Sequence, residues 1–366
     1  QVTRKTMNPV QLSLFVHESK SICREMGITL RRVALSPNIS DRLDFSCALF
    51  SFEGELLAQA AHIPVHLGSM AYAMKDLVPL FNWTPGDSVI VNDPYLGGTH
   101  LPDITIITPI FVDDTLAAFC ASRAHHADIG GDTPGSMPLA SNLSEEGLII
   151  APQYIRQSNK LESKTIELLN DNLRTPDRTL ADILSQISAN ETGVKRAQSW
   201  ICKYGTENFF IATNKMSKYS ELLARRTIDS IPDGVYSATD VMDGDGLGNN
   251  DITISAAITV DGERVKVDFE GTAQSVPGNI NCPISVTAAA VYYVFYTLMP
   301  HDTPACYGSL KPIAIEAPQG CLVDALAPSA CAAGNVETSQ RIVDVLLRAL
   351  SKALPDRIPA SSQGTM

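Results

Sequence analysis

The sequence predicts an α+β protein with mixed β-sheets and a central helical segment. Three observations carry this prediction. Short apolar stretches bounded by turn residues crowd residues 40–125 and again 231–325. Between them, residues 160–229 hold few glycines and repeat apolar residues at helical spacing, as in Ile166-Glu-Leu-Leu and Leu180-Ala-Asp-Ile-Leu. The 366 residues are 45% hydrophobic and 19% charged, a balance that buries a large core without disulfide or metal staples.

The elements follow in order. Asn8-Pro9 is a helix start, a capping residue followed by a proline whose missing N–H costs nothing there. Leu12, Phe15, Val16, Cys23, Met26, Leu30 and Val33 then predict an amphipathic helix, ended by Ser36-Pro37-Asn38. Residues 45–50 and 56–59 flank Phe52-Glu-Gly54 as a hairpin. Residues 89–91, 104–107 and 116–121 predict three more strands, the last two separated by Asp113-Asp114. Glycine and proline crowd 94–98 and 130–138, which therefore read as loops. After the helical segment come strands at 234–242, 252–260 and 264–269 and a final helix at 335–354. The expected organisation is an N-terminal α/β region (1–159) carrying the site loops, a helical region (160–230) and a β-rich region ending in a helix (231–366). All three are expected to form one composite unit.

The formal net charge is −12. Such a surface repels phosphate backbones and anionic lipids, so neither nucleic acid nor membrane is expected as a partner. Gln1–Met7 has no apolar leader core, and the eight cysteines include no CxxC pair. They are expected to be mostly reduced, packed thiols of a cytoplasmic protein.

The chemistry concentrates in the histidines. His62 and His66 flank Pro64, which excludes the helical HExxH arrangement of zinc proteases. His100-Leu-Pro-Asp103 and Ala124-His125-His126-Ala-Asp128 pair imidazole with carboxylate, the donor set of an open Zn, Mn or Fe site. Pro102 stiffens the first loop. If strands 104–107 and 116–121 are neighbours, His125 returns beside His100. On spacing alone, hydrogen-bonded loop histidines are the alternative.

Gly97-Gly98 and Gly130-Gly131 let backbone approach a ligand, or simply make tight turns. Arg123 suits a carboxylate or phosphate, or is a surface charge. Asp41 and Asp44 are a metal carboxylate, a general base or solvated turn residues. Glu145-Glu146 reads as surface. Asp243–Asn249 resembles a calcium loop only faintly, because Leu247 stands where a ligand is needed. No GxxxxGK[ST], GxGxxG or GxSxG occurs, so the chain shows no nucleotide cradle or serine elbow of its own.

Several longer motifs match one family. They are Ser36-Pro-Asn-Ile-Ser-Asp-Arg-Leu-Asp-Phe-Ser-Cys47, Ala61-His-Ile-Pro-Val-His-Leu-Gly-Ser-Met70 and Asn92-Asp-Pro-Tyr-Leu-Gly-Gly-Thr-His-Leu-Pro-Asp103. Ala121-Ser-Arg-Ala-His-His-Ala-Asp-Ile-Gly-Gly131, Thr133-Pro-Gly-Ser-Met137 and Gly334-Asn-Val-Glu-Thr-Ser-Gln-Arg341 join them. On these the sequence resembles the hydantoinase B/5-oxoprolinase family, which includes the N-methylhydantoinase β subunit and is related to the large subunit of acetone carboxylases.

The resemblance implies a two-component machine. A hydantoinase A-like subunit of actin/sugar-kinase type binds ATP and phosphorylates the substrate's amide oxygen. The B component then opens the lactam or cyclic imide with a divalent metal. Carried over, the ligands are His100, Asp103 and His125, with Asp44 as a fourth ligand or base. Arg123 and the backbone at Gly97, Gly98, Gly130 and Gly131 would hold phosphate or substrate, and His126, His66 and His62 would move protons or support the ligands. A hetero-oligomer is expected. The alternative is a component of an ATP-dependent ketone carboxylase. Family members continue beyond Gln363-Gly-Thr-Met366, so a shortened chain is expected.

Overall fold

The computed structural model describes residues 7–61, 63–133, 135 and 137–364. His62 and parts of the 133–137 motif lie outside the described residues. In chain order the helices are α1 (Pro9–Val33), α2 (Pro37–Ser40), α3 (Pro64–Leu77), α4 (Leu143–Glu146), α5 (Ser163–Asn172), α6 (Pro176–Tyr204), α7 (Thr206–Asp229), α8 (Ile284–Leu298) and α9 (Ser339–Leu350). The strands are β1 (Phe45–Ser51), β2 (Leu56–Ala61), β3 (Ser88–Val91), β4 (Asp103–Val112), β5 (Thr115–His125), β6 (Gln153–Gln157), β7 (Lys160–Leu161), β8 (Gly234–Gly244), β9 (Asn250–Asp261), β10 (Arg264–Asp268) and β11 (Ile313–Glu316).

The first sheet runs β2-β1-β5-β4-β3-β6-β7, antiparallel throughout. Alternation sorts its side chains onto two covered faces. Phe119, Ala121 and Ile107 face α3, whereas Ala118, Cys120, Ala124 and Ile110 face α1 and α6. Both faces are buried, so β1 and β4 read as near-continuous apolar runs.

The second sheet, β11-β10-β9-β8, is mixed, because only the β10–β11 pair is parallel. Ile252, Ile254, Ala256, Ile258 and Val260 of β9 are buried at every second position and pack with α8 and α9. Helix α1 starts as expected, with a reciprocal capping box between Asn8 and Gln11. It ends at Val33, and Ser36 then N-caps the short α2.

Two expectations are corrected. The β-rich block contains α8, a helix buried on most sides. Its apolar residues fall all around the helix, so no amphipathic period marked it. The final helix is shorter than 335–354: a π-turn at Gly334–Thr338 precedes α9, which stops at Leu350.

The three expected segments interleave. Helix α6 covers the first sheet, and α8 packs on α3 across a close approach where a Cβ at Gly68 would collide with Ala289. Among the described residues no helix is long and apolar enough to cross a membrane.

Candidate metal centre

Three neighbouring strands deliver the site to one end of the first sheet. Asp103 opens β4 and His125 closes β5, and their Cα atoms are register partners. Asp44 precedes β1, which pairs with the other side of β5, and its carbonyl accepts from His125 N at 3.0 Å. His100 enters from the 92–103 loop. That loop is pinned by Asn92, which donates to Leu101 O and Leu148 O and accepts from Ile150 N.

The donor atoms of His100, Asp103 and His125 lie within 4.8 Å of one another. His100 Nε2 is 3.2 Å from His125 Nδ1 and 3.3 Å from Asp103 Oδ1, and His125 Nδ1 is 3.1 Å from Asp103 Oδ1. His100 Nδ1 donates to the Ala332 carbonyl at 3.2 Å, which turns Nε2 inward. Two ring nitrogens and a carboxylate oxygen thus converge on one point. The residues fit a divalent metal of N/O preference.

A supporting ring fixes this set. Asp103 Oδ2 accepts from Thr99 Oγ1 at 2.6 Å and from His66 Nε2 at 3.2 Å, and His66 Nδ1 meets Ser46 Oγ at 3.2 Å. Burial pushes the Asp103 carboxyl up, but His100 and His66 outweigh it and hold it well below the usual carboxylate range. Burial lowers His100, and Asp103 reverses that to a net rise. Asp44 stands at the mouth with its side chain 27% exposed, 3.9 Å from both His66 Nε2 and His125 Nδ1. Burial and the facing Asp103 raise its carboxyl.

With this arrangement in view, similarity to known proteins becomes informative. Residues 8–366 match the family described as hydantoinase B/oxoprolinase. The chain belongs to the hydantoinase B/oxoprolinase family. An uncharacterized protein of Methanocaldococcus jannaschii is 40% identical over 98% of this chain. A 5-oxoprolinase of Dictyostelium discoideum is 37% identical over 98%, and a protein of a Pseudomonas species, named as the B component of a D-/L-hydantoinase, is 30% identical over 97%. The chain spans 64%, 28% and 63% of their respective lengths. The crystal structure of the ATP-dependent caprolactamase of Pseudomonas jessenii superposes with a TM-score of 0.90 at 26% identity, over 96% of this chain and 62% of that one. Nucleotide-free acetone carboxylase shares the fold, with a TM-score of 0.85 at 19% identity over 96% and 50%.

Within this hydantoinase B fold, the other candidates from the sequence fall in different places. His66 joins the site. Pro64 occupies the first turn of α3, and His66 rides on that turn, turned down onto Asp103. His126 does not join it. In an extended chain the residue after His125 points to the opposite face, and His126 Nε2 meets Gln186 Oε1 of α6 at 2.9 Å. Burial lowers the pKa of its imidazole, against its hydrogen bond to Gln186.

Arg123 is neither a surface charge nor free for phosphate. It is fully buried beneath the site and donates to Thr105 Oγ1, Ser69 Oγ and the Gly97 carbonyl. Desolvation lowers it to about 10, opposed by Asp103. The glycines sit where backbone or a neighbouring side chain comes close. Gly97 has φ +102° and a Cβ there would strike Ala73, while Cβ atoms at Gly98 and Gly130 would strike the carbonyls of Asn92 and Asn172. The Gly131 carbonyl accepts from Arg174. Asp128 caps the approach to α6 through Thr175 N at 2.7 Å. Asp245 spends its oxygens on N–H donors of Leu247, Asn249 and Gly278.

Glu146 corrects the surface reading, since it is fully buried and accepts from Cys331 N and Ala332 N, each at 2.8 Å. Asn335 went unread as a site residue, although Gly334–Arg341 stood out as a motif. Its Nδ2 is 3.3 Å from His100 Nε2.

Proposed function

We propose that this chain is the metal-bearing B component of an ATP-dependent system that opens a lactam or cyclic imide after a hydantoinase A-like partner has phosphorylated the amide oxygen. One observation carries the reading: His100 Nε2, His125 Nδ1 and Asp103 Oδ1 converge with 3.1–3.3 Å separations. Names among similar proteins support it, namely a 5-oxoprolinase, a hydantoinase B component and an ATP-dependent caprolactamase.

A lactam carbonyl is a poor electrophile, and phosphorylating its oxygen creates a leaving group. His100, Asp103 and His125 would hold Zn, Mn or Fe. Such an ion supplies Lewis-acid polarisation of a substrate oxygen and a lowered pKa for water at neutral pH. The protein's own residues do the positioning. His66 and Thr99 clamp Asp103, and Ala332 O fixes the His100 tautomer. Asp44, at the mouth with about a quarter of its side chain exposed (27%) and its carboxyl raised by burial, would accept a proton from an attacking water.

Elemental analysis of the purified chain should find about one divalent ion per molecule, lost in His100→Ala and Asp103→Asn. Lactam opening with ATP and the partner subunit should disappear with the ion. Full activity in an ion-free His100→Ala protein would sink the reading. Bicarbonate incorporation into a ketone in place of lactam opening would move the chain to the carboxylase branch.

A further inference from the structure

Residues 332–335 hold His100 by both edges of its ring. The Ala332 carbonyl accepts from Nδ1 at 3.2 Å, and Asn335 Nδ2 lies 3.3 Å from Nε2. Nδ1 keeps the ring proton, so Nε2 carries the lone pair and is the nitrogen that can bind an ion. Asn335 therefore stands on the metal side of the ring.

The backbone that carries Asn335 is pinned. Ala333 N and Gly334 N both donate to the Asn279 carbonyl at 3.0 Å, and Asn281 Nδ2 donates to the Ala330 carbonyl at 2.9 Å. A Cβ at Gly334 would lie 1.9 Å from the Asn281 carbonyl oxygen, so only glycine lets the chain pass here. The π-turn Gly334–Thr338 follows, and Ser339 Oγ donates to the Asn335 carbonyl at 2.7 Å. Such turns recur at functional sites.

The spacing is that of a ligand set. The donor atoms of His100, Asp103 and His125 lie 3.1–3.3 Å apart, and the inner end of the Asn335 amide lies 3.3 Å from His100 Nε2. Atoms about 2.0–2.2 Å from one ion stand roughly 3.0–3.4 Å from their neighbours, octahedral sites at the lower end and tetrahedral ones at the upper.

The chemistry of the amide decides which end belongs there. Asn335 is 7% exposed, and its Oδ1 is buried with no hydrogen-bond partner among the described residues. An N–H aimed at a cation is repelled, whereas an amide carbonyl is an ordinary ligand of hard divalent ions. The two ends match in size, so a half-turn about the last side-chain bond exchanges them without repacking.

We propose that Asn335 is a further protein ligand of the ion at this centre, its amide turning over to present Oδ1 beside His100, Asp103 and His125. This rests on the divalent-ion reading and deepens it. A neutral oxygen donor leaves the ion more of its charge than a second carboxylate would, and so more of its pull on a substrate oxygen.

The test is ion binding to the full chain. Mn2+ affinity is read from the free-ion signal in electron paramagnetic resonance, and Co2+ coordination from visible absorption. Asn335→Leu, close in size and without an oxygen, should weaken Mn2+ binding by at least about tenfold and change the Co2+ spectrum. Asn335→Asp keeps the oxygen and loses the N–H donors. It should retain both the affinity and the Co2+ spectrum of wild type. In wild type, Zn2+ should shift the Asn335 side-chain amide 15N resonance, identified by its absence from Asn335→Asp. That reading holds even if Asn335→Leu does not fold.

Equal or tighter Mn2+ binding by Asn335→Leu overturns the inference, because an amide that only donated to His100 would compete with the ion for Nε2. A Co2+ spectrum altered alike in both variants, or an unmoved amide resonance, also overturns it. A chain that opens lactams with ATP and its partner while Asn335→Leu binds the ion as wild type does loses this inference and keeps the catalytic reading. A chain that holds the ion through Asn335 and opens no lactam does the reverse.

Discussion

Glu146 Oε1 accepts the backbone N–H groups of Cys331 and Ala332, and Ala332 in turn accepts from His100 Nδ1. A buried carboxyl therefore holds the peptide that orients a candidate ligand. Burial raises its pKa to about 7, against the pull of those two N–H groups. The sign follows from linkage: a raised carboxyl makes the neutral form the favoured one in the fold. Its contribution is fully present below pH 4.5 and is lost as pH rises through about 7. Glu146→Gln keeps an acceptor and should remove that pH dependence. Glu146→Ala strands two buried N–H groups and should cost about 2–4 kcal/mol. Urea unfolding at pH 5 and pH 8 reads both, and equal losses for the two variants would refute the role. Arg123 makes the same point about charge. Its position on β5 looked like a phosphate ligand, yet alternation and the helix above it turn the guanidinium into an interior brace.

At the scale of elements, the site depends on strand register and on one helix pair. A one-residue slip between β4 and β5 would part Asp103 from His125 and send His125 to the face where His126 now sits. Helix α3 brings His66 down onto Asp103, and α3 is seated by its contact with α8 at Gly68 and Ala289. Alanine in an open helix interior gains up to about 1 kcal/mol over glycine. Here its Cβ would meet the α8 backbone, and overpacking of that kind costs about 1–3 kcal/mol. Gly68→Ala should therefore lower the melting temperature. A rise would show that the two helices do not approach so closely. Gln186 and Asn190 anchor α6 to the sheet beneath, through Ile104 O and Ile106 O at 3.0 and 2.9 Å. Polar residues on the buried side of a helix carry no periodic signal of that kind.

For the whole molecule, the centre joins parts remote in sequence: residue 44, the first turn of α3, loop 92–103, the end of β5, and residues 332–335 from beyond the second sheet. An ion bound there stabilises only the assembled fold, by about 2.7 kcal/mol at a hundredfold excess over Kd. Chelation should thus lower the melting temperature by roughly 3 °C or more in scanning calorimetry. A melting temperature unmoved by stripping a bound ion would place that ion outside the folded centre. The sequence alone determined the α+β class, the start of α1, the hairpin of residues 45–50 and 56–59, and three of the four strands of the second sheet, β11 being unread. Those features rest on local capping, turn chemistry and period-two patterning, which a linear chain displays. Only the tertiary structure decided that strand register sets Asp103 beside His125, that His66 meets Asp103 and His126 does not, that Arg123 and Glu146 are interior, and that Asn335 lies against His100. The reason is physical. Which face a side chain takes depends on strand register, and which distant segment meets it depends on packing between elements, and neither is written in local spacing.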